Sequence, residues 1–320
     1  MSQAGFQYVY GPVPSRRLGR SLGIDLVPFK TCTYDCVYCQ LGRTTNKTIE
    51  RKDYVAVGDV LAEMERALSV KPAPDFISLA GSGEPTLNDR IGDLILKIRN
   101  ITQIPVAVLT NGSLLWIPEV QEALMGADII IPSLDAGDEH LFQCVNRPHP
   151  EIEFDKVIDG LAEFTARFVG SVWLEVFLLA GVTGIPAEIE KLASLTRRIR
   201  PNRVQLNTVS RPPAEEFAFA ISGEQMEHFR KLFSETAEVI SESEQGESPS
   251  LSAGGATNRD ILSLLRRRPC TVRDVSSGLG IHHEEASKHL HVLSKQGAVV
   301  SVRRNDVIFY EAVRQNNTRG

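Results

Sequence analysis

Short apolar segments alternate with amphipathic helical patterns up to residue 209, and this alternation restricts the fold more than any other feature. The segments are SLGIDLV (21–27), DFISLA (75–80), PVAVLT (105–110), DIIIPSLD (128–135), VWLEVFLL (172–179) and RVQLNTV (203–209). Their nearly continuous Val, Ile and Leu content is typical of strands buried on both faces of a parallel sheet. Because right-handed crossovers join such strands, the pattern predicts an α/β fold of six βα units, an open or partly closed β/α barrel.

Two stretches between these strands have clear helical periodicity. The segment 57–69 places its apolar residues on one face, and the segment 88–100 does the same. The residues concerned are Val60, Leu61, Met64 and Leu68 in the first segment and Ile91, Leu94, Ile95 and Ile98 in the second. Both segments are therefore predicted to be helices that cover the sheet.

Polar or glycine-rich motifs follow each predicted strand. They are CTYDCVYC (32–39), GSGEPT (81–86), TNGS (110–113), SLDA (133–136), AGVTG (180–184) and SRPP (210–213). In parallel α/β folds the chemistry lies at the carboxyl ends of the strands. Six such motifs at the same edge of one sheet predict a single functional site there.

The first motif groups Cys32, Cys36 and Cys39 within eight residues. A structural zinc site needs four ligands, and the nearest further candidates, His140 and Cys144, belong to another βα unit. A redox pair formed by Cys36 and Cys39 remains an alternative. An iron–sulfur cubane fits better, because three thiolates leave its fourth iron open to a small molecule.

CTYDCVYC, followed by GSGEP (81–85), resembles the signature of radical S-adenosylmethionine (radical SAM) enzymes. The resemblance extends over roughly residues 8–215 and implies the partial (β/α)6 barrel of that superfamily. The stretches VPSRRLGRSLGIDLVPFK, TNGSLL, PSLDA, NRPH and NTVSRPP are similar to one branch of that superfamily, the wyosine-synthetase-like iron–sulfur oxidoreductases.

The resemblance implies that Cys32, Cys36 and Cys39 hold a [4Fe-4S] cluster whose fourth iron is chelated by S-adenosylmethionine (SAM). Reduction of the cluster then cleaves SAM and gives a 5′-deoxyadenosyl radical that abstracts hydrogen from a substrate. An electron donor such as flavodoxin or ferredoxin is the implied partner. The substrate is not identified by these motifs.

The resemblance also implies a set of SAM-binding residues, namely Tyr38, Gly81, Ser82, Gly83, Glu84, Asn111, Ser133 and Asp135. Small residues at 81–83 let the backbone approach the methionine end of the cofactor, and Asp135 is positioned to accept from a ribose hydroxyl. Structural alternatives stay open, because Glu84 also suits a helix start, Asp135 an N-cap and Asn111 an Asn-Gly turn.

Composition changes sharply near residue 241. SESEQGESPSLSAGGAT (241–257) is polar and rich in Ser and Gly, and it predicts a flexible linker between a domain of residues 1–240 and one of residues 258–320. Residues 254–320 carry 11 Lys+Arg and 6 Asp+Glu, whereas the rest of the chain has a net charge of −10. This asymmetry indicates two units with different partners.

The C-terminal domain resembles a winged helix-turn-helix module. Three helical patterns precede two strands that flank residues 303–306, and Ala286, Leu290 and Leu293 are predicted to face inward on the third helix. In such modules one helix enters the major groove of DNA, here with Ser287 and Lys288 facing outward. Docking of a protein or recruitment of a substrate is the alternative role.

Composition also bears on location. No apolar run is long enough to span a membrane, and five sparse cysteines without an export signal predict a cytoplasmic protein without membrane partners.

The main hypothesis for the function is a radical SAM enzyme, and an iron–sulfur or SAM-sensing DNA-binding transcription regulator is the alternative. A tRNA-modifying, wyosine-synthetase-like activity is a further alternative, although no cysteine precedes Cys32 to hold a second cluster.

Overall fold

The six predicted strands are all present in one eight-stranded sheet. A computed structural model describes residues 6–69, 73–233, 235–240, 257–304 and 307–313. The strands up to residue 240 are β1 Val9–Ser15, β2 Gly19–Ile24, β3 Thr31–Cys32, β4 Asn46–Lys47, β5 Phe76–Leu79, β6 Val106–Leu109, β7 Ile129–Ile131, β8 Ser171–Leu178, β9 Arg203–Thr208 and β10 Ala237–Val239. The predicted linker at 241–257 lies outside the described residues, except for Thr257.

The sheet has the order β1-β2-β5-β6-β7-β8-β9-β10. All neighbours from β2 to β10 pair in parallel, and β1 adds an antiparallel hairpin strand at one edge. The predicted partial β/α barrel is therefore confirmed, with β1 and β10 as additional edge strands. β3 and β4 form a separate two-stranded ladder.

Helices pack against one face of the sheet. They are α1 Val57–Leu68, α2 Ile91–Ile101, α3 Pro118–Leu124, α4 Glu139–Val145, α5 Phe154–Arg167, α6 Pro186–Ile199 and α7 Gly223–Arg230. Val60 and Met64 of α1 lie in one buried cluster with Leu22 and Ile77 of the strands, as the periodicity predicted. This packed face is the convex side of the partial barrel.

The opposite, concave face is closed at the amino ends of the parallel strands. The turn between β1 and β2 inserts Leu18 into a cluster with Ile129, Ile131 and Trp173. Ser21 and Ser78 also belong to this face and share a hydrogen bond of 2.8 Å between their hydroxyls. The concave face is thus packed at one end and more polar towards the other.

The C-terminal region is a winged helix-turn-helix domain. It consists of α8 Asn258–Leu265, α9 Val272–Leu279, α10 His283–Lys295 and the antiparallel strands β11 Val299–Arg304 and β12 Val307–Ala312. Thr257 and Thr271 begin α8 and α9 with capping boxes. The predicted inward residues of α10, Ala286, Leu290 and Leu293, are buried. Throughout the described ranges, no helix is long and apolar enough to span a bilayer.

Candidate active site at the carboxyl ends of the strands

The three cysteines of the first motif share one loop beyond β2. Cys32 ends β3, and the Cys39 N–H donates to the Cys36 carbonyl at 3.1 Å. All three residues are half-buried, whereas Cys144 is exposed and Cys270 is buried in the winged helix-turn-helix domain. The structure therefore separates the cysteines of the loop from the other two.

Each sulfur of the loop faces one nitrogen donor from a different part of the chain. The pairs are Asn111 Nδ2 with Cys32 Sγ (3.6 Å), Asn146 Nδ2 with Cys36 Sγ (3.6 Å) and Lys30 Nζ with Cys39 Sγ (3.3 Å). Donors of this kind stabilise thiolate sulfur and orient metal ligands. Sequence reasoning missed Lys30 and Asn146, because neither lies in a motif that marks it as a partner of sulfur.

The chemistry of these thiols fits ligands of an iron–sulfur cluster. Burial raises the pKa of Cys32 to about 12, and the Glu84 carboxylate adds to that increase. Burial also raises the pKa of Cys36 well above its ordinary value, with Asp135 as the next cause. Buried thiols of this kind ionise when a metal supplies positive charge.

A cubane places its cysteine ligands on different irons, so the three sulfurs have no need to converge on one point. Within the described ranges, no three His, Cys, Asp or Glu side chains form a site for a single metal ion. Three thiols in one loop, each with its own nitrogen donor, form a ligand set that a cluster can use.

The GSGEP segment packs tightly against the cysteine loop. A Cβ at Gly83 would fall 1.9 Å from the Thr31 carbonyl oxygen, and Gly81 has φ +136°. The Lys30 N–H donates to the Ser82 carbonyl at 2.7 Å. Glycine is required at both positions for this close approach. The small residues bring the two loops together, and their contact with a cofactor stays a prediction.

Glu84 connects the loops that follow β5 and β6. Its Oε1 accepts from the Thr86 N–H (3.0 Å) and from the hydroxyls of Thr86 and Thr110 (both 2.6 Å). Its Oε2 accepts from the Asn111 N–H at 2.7 Å. Burial raises the pKa of this carboxyl, which is 2 % exposed, while these donors oppose the increase. Glu84 thus organises the site, and direct binding of SAM by Glu84 or Asn111 stays a prediction.

Asp135 lies between the cysteine loop and β8. Its carboxylate accepts from the Tyr38 hydroxyl, from Asn146 Nδ2 (2.8 Å) and from the Phe177 N–H (3.2 Å). Burial raises the pKa of Asp135 to about 6. The Tyr38 ring stacks on Phe177 with centroids 4.0 Å apart. Tyr38 and Asp135 are therefore brought together, and ribose contact by Asp135 or Ser133 stays a prediction.

A polar group on the concave face was not selected from the sequence as a unit. Arg17, from the turn after β1, pairs with Glu175 of β8, and Asn207 Nδ2 donates to Glu175 Oε1 at 2.7 Å. Both members of the ion pair are largely buried, with side chains 12 % and 16 % exposed. Glu175 is next to the site, since it pairs with Ser133 across the sheet and its carbonyl accepts from the Leu134 N–H at 2.8 Å.

A partial β/α barrel with a three-cysteine loop and a GSGEP loop at its strand ends defines a class of fold and site. The chain belongs to the radical SAM superfamily, whose sequence model matches residues 26–196. A helix-turn-helix domain model matches residues 256–302. Both matches confirm the resemblances drawn from the motifs, although the wyosine-synthetase-like branch stays a prediction.

Comparison with known proteins gives several relatives. A UPF0026 protein of Helicobacter pylori is 30 % identical over 314 residues, covering 97 % of this chain and 99 % of that protein. The "GTPase Obg" of Brachyspira hyodysenteriae is 39 % identical over 308 residues, covering 94 % of this chain. The chain spans only 45 % of that relative's length.

Among solved structures, a radical SAM methyltransferase from Sphaerobacter thermophilus is similar in fold. Its TM-score is 0.55 at 22 % sequence identity, and the match covers 68 % of this chain and 65 % of that one. At this identity the likeness concerns the fold alone.

Proposed function

We propose that this chain is a radical SAM enzyme in which Cys32, Cys36 and Cys39 hold a [4Fe-4S] cluster that binds SAM at its fourth iron. The observation that supports this most is the set of three loop sulfurs, each with its own N–H donor. A cluster held by these cysteines would, once reduced, supply one electron to the sulfonium of SAM, whose carbon–sulfur bond would then break to give methionine and a 5′-deoxyadenosyl radical able to take hydrogen from a substrate.

The protein residues bind and orient the reactants in this proposal. The 81–83 loop presents backbone groups to the methionine end of SAM, and Glu84 holds that loop against its neighbour. Tyr38 and Asp135 border the position proposed for the ribose. Glu175, with its partners, faces the concave side, which favours a polar substrate.

The test is anaerobic. The protein is reconstituted with iron and sulfide, reduced with dithionite and mixed with SAM, and 5′-deoxyadenosine is quantified. Slow product formation is the expected result. A reducible cluster that binds SAM but gives no product, even with flavodoxin or ferredoxin as donor, would leave two interpretations, namely SAM cleavage that requires the bound substrate and a sensor.

The contact of Lys30 with Cys39 leads to a prediction that can be tested without measuring turnover. Its ammonium is buried and lies against Cys39 Sγ, and a positive charge there stabilises the reduced cluster. Lys30→Met is therefore expected to make the midpoint potential more negative by about 59 mV, a tenfold change for one electron. The measurement is a redox titration followed by electron paramagnetic resonance.

Lys47→Met is the matched control for Lys30. The Lys47 ammonium donates to the carbonyl oxygens of Arg147 and Pro148 at the protein surface, and its loss should leave the potential unchanged. Equal potentials in the wild type and Lys30→Met would contradict the assigned role of Lys30.

A second candidate function, that of a DNA-binding regulator, is favoured by the winged helix-turn-helix domain. Ser287, Lys288 and His291 are exposed on α10. If this face meets phosphate, Lys288→Glu weakens duplex binding and reduces its salt dependence, as measured by fluorescence anisotropy. If a DNA duplex does not bind to the protein, protein docking or substrate recruitment remains as the role of α10.

The tRNA-modifying alternative is tested separately, by adding unmodified tRNA to the anaerobic reaction.

A further inference from the structure

The winged helix-turn-helix domain shares its apolar core with the barrel. Val13 of β1 is buried among Ile261, Leu264 and Val275, and Tyr10 packs at the margin of the same cluster. The two parts of the chain therefore pack as one body along β1.

This contact lies on the concave side of the sheet. Tyr10 and Val13 stand opposite Gly23 and Ser21 in the antiparallel pairing of β1 with β2. Opposite residues share a face, and Ser21 belongs to the concave one, where it meets Ser78. The domain therefore covers the concave face at its β1 end.

The same domain also reaches the loop after β9, near the other end of the sheet. Arg211 Nη2 lies 3.1 Å from Asp274 Oδ1 of α9, and Arg211 Nε donates to the Pro269 carbonyl at 3.1 Å. Contacts at two distant strands fix the domain against the barrel more firmly than a single contact does.

A largely buried ion pair joins the domain to the end of β2. Arg267, just after α8, donates from Nε to Asp25 Oδ2 at 3.0 Å, and its guanidinium lies over the Tyr10 ring at 4.3 Å. The two side chains are 13 % and 11 % exposed. Burial raises the pKa of Asp25, and Arg267 opposes this. Removal of one partner from such a pair leaves an uncompensated buried charge.

The other oxygen of Asp25 holds the GSGEP loop. Asp25 Oδ1 accepts from the Ser82 N–H at 2.6 Å. A Cβ at Gly81 would fall 1.7 Å from the same oxygen, so the carboxylate lies directly against the loop backbone. One carboxylate thus connects Arg267 of the winged helix-turn-helix domain to the backbone of residues 81–83.

We propose that Asp25 and Arg267 are positioning residues for SAM, through which the winged helix-turn-helix domain holds the 81–83 loop in its binding conformation. The assignment of SAM to this loop rests on the proposed function, whereas the mechanical link does not. The domain then forms part of the wall of the cofactor site, in addition to any partner that α10 binds.

Hydrogen exchange of the full chain, without cluster or SAM, tests the mechanical link. Arg267→Met is expected to speed exchange in the peptide that contains Ser82 by at least about tenfold, since its charged acceptor loses its fixed position. Arg266→Met, which alters the exposed neighbouring arginine, should leave that peptide unchanged. Wild-type exchange at Ser82 in folded Arg267→Met would overturn the proposal.

A second variant covers the case in which Arg267→Met disturbs the whole domain. Asp25→Asn breaks the same link from the barrel side and leaves Arg267 in place, while it keeps a side-chain oxygen for the Ser82 N–H. Exchange in the peptide that contains Ser82 should again be faster than in the wild type, while peptides of α9 and α10 keep their protection. If Asp25→Asn exchanges at Ser82 as slowly as the wild type, the link through Asp25 is wrong.

Binding of SAM to the reconstituted full chain gives the functional readout. The Kd for SAM should rise about tenfold in Arg267→Met, because the loop is no longer preorganised, and stay unchanged in Arg266→Met. Wild-type affinity in Arg267→Met would overturn the positioning role. A wild-type protein that fails to bind SAM would instead contradict the proposed function, and the exchange result would still decide the mechanical link.

Discussion

Cys36→Ala is expected to reduce 5′-deoxyadenosine formation by at least about 100-fold. This exceeds the usual loss of activity when a residue that only hydrogen-bonds to a metal ligand is removed. The substitution removes one of three proposed ligands, and Asn146 Nδ2 then has no sulfur to contact at that position. The measurement is chromatographic quantification of 5′-deoxyadenosine after anaerobic reconstitution, together with the iron and sulfide content of the protein.

Cys144→Ala is the matched control for this loss. Cys144 lies exposed in α4, outside the cysteine loop, so its removal should leave iron content and product formation as in the wild type. Full iron content and turnover in Cys36→Ala would show that the loop does not hold the cluster. Equal losses in both variants would point to general damage from thiol removal.

The sequence predicted the central strands because burial on both faces leaves a nearly continuous apolar run. It did not predict β1, whose segment VYGPVPS contains Gly11, Pro12 and Pro14. Prolines are confined to the edges of sheets, so local propensity argues against a strand that the hairpin with β2 nonetheless stabilises. β10 has three residues, too few for a periodic pattern.

The site was predictable where its residues share a local motif. Cys32, Cys36 and Cys39 belong to one loop, and spacing alone singles them out. Asn146 meets Cys36, 110 positions earlier, only because the end of α4 folds against the cysteine loop. Lys30 is nine positions before Cys39 and reaches its sulfur through the local course of the backbone. Spacing carries no information about such encounters.

The relation of the two domains was the least predictable feature. A polar segment and a change of charge predicted separate units, yet Val13 shares a core with α8 and α9. Asp25 and Arg267 are 242 positions apart and meet as a buried ion pair. Interfaces between distant segments depend on shape and on a few buried contacts, for which a single sequence has no periodic signal.

Glu84→Ala is expected to lower the melting temperature of the cluster-free protein by about 10 °C. Glu84→Ala leaves four hydrogen-bond donors of Thr86, Thr110 and Asn111 without their acceptor, at a buried position. Loss of one partner from a buried charged network costs about 3–5 kcal/mol. Circular dichroism during heating measures the change without any contribution from a cofactor.

Two further variants separate the structural role of Glu84 from cofactor binding. Glu84→Gln keeps an acceptor for the threonine donors but turns an amide NH₂ towards the Asn111 N–H, so its melting temperature should lie between those of the wild type and Glu84→Ala. Glu65→Ala, on the exposed face of α1, should change the free energy of unfolding by less than about 0.5 kcal/mol, and thus the melting temperature by less than about 2 °C. If Glu84→Ala also melts like the wild type, the network does not stabilise the loops, and SAM binding becomes the better account of this carboxylate.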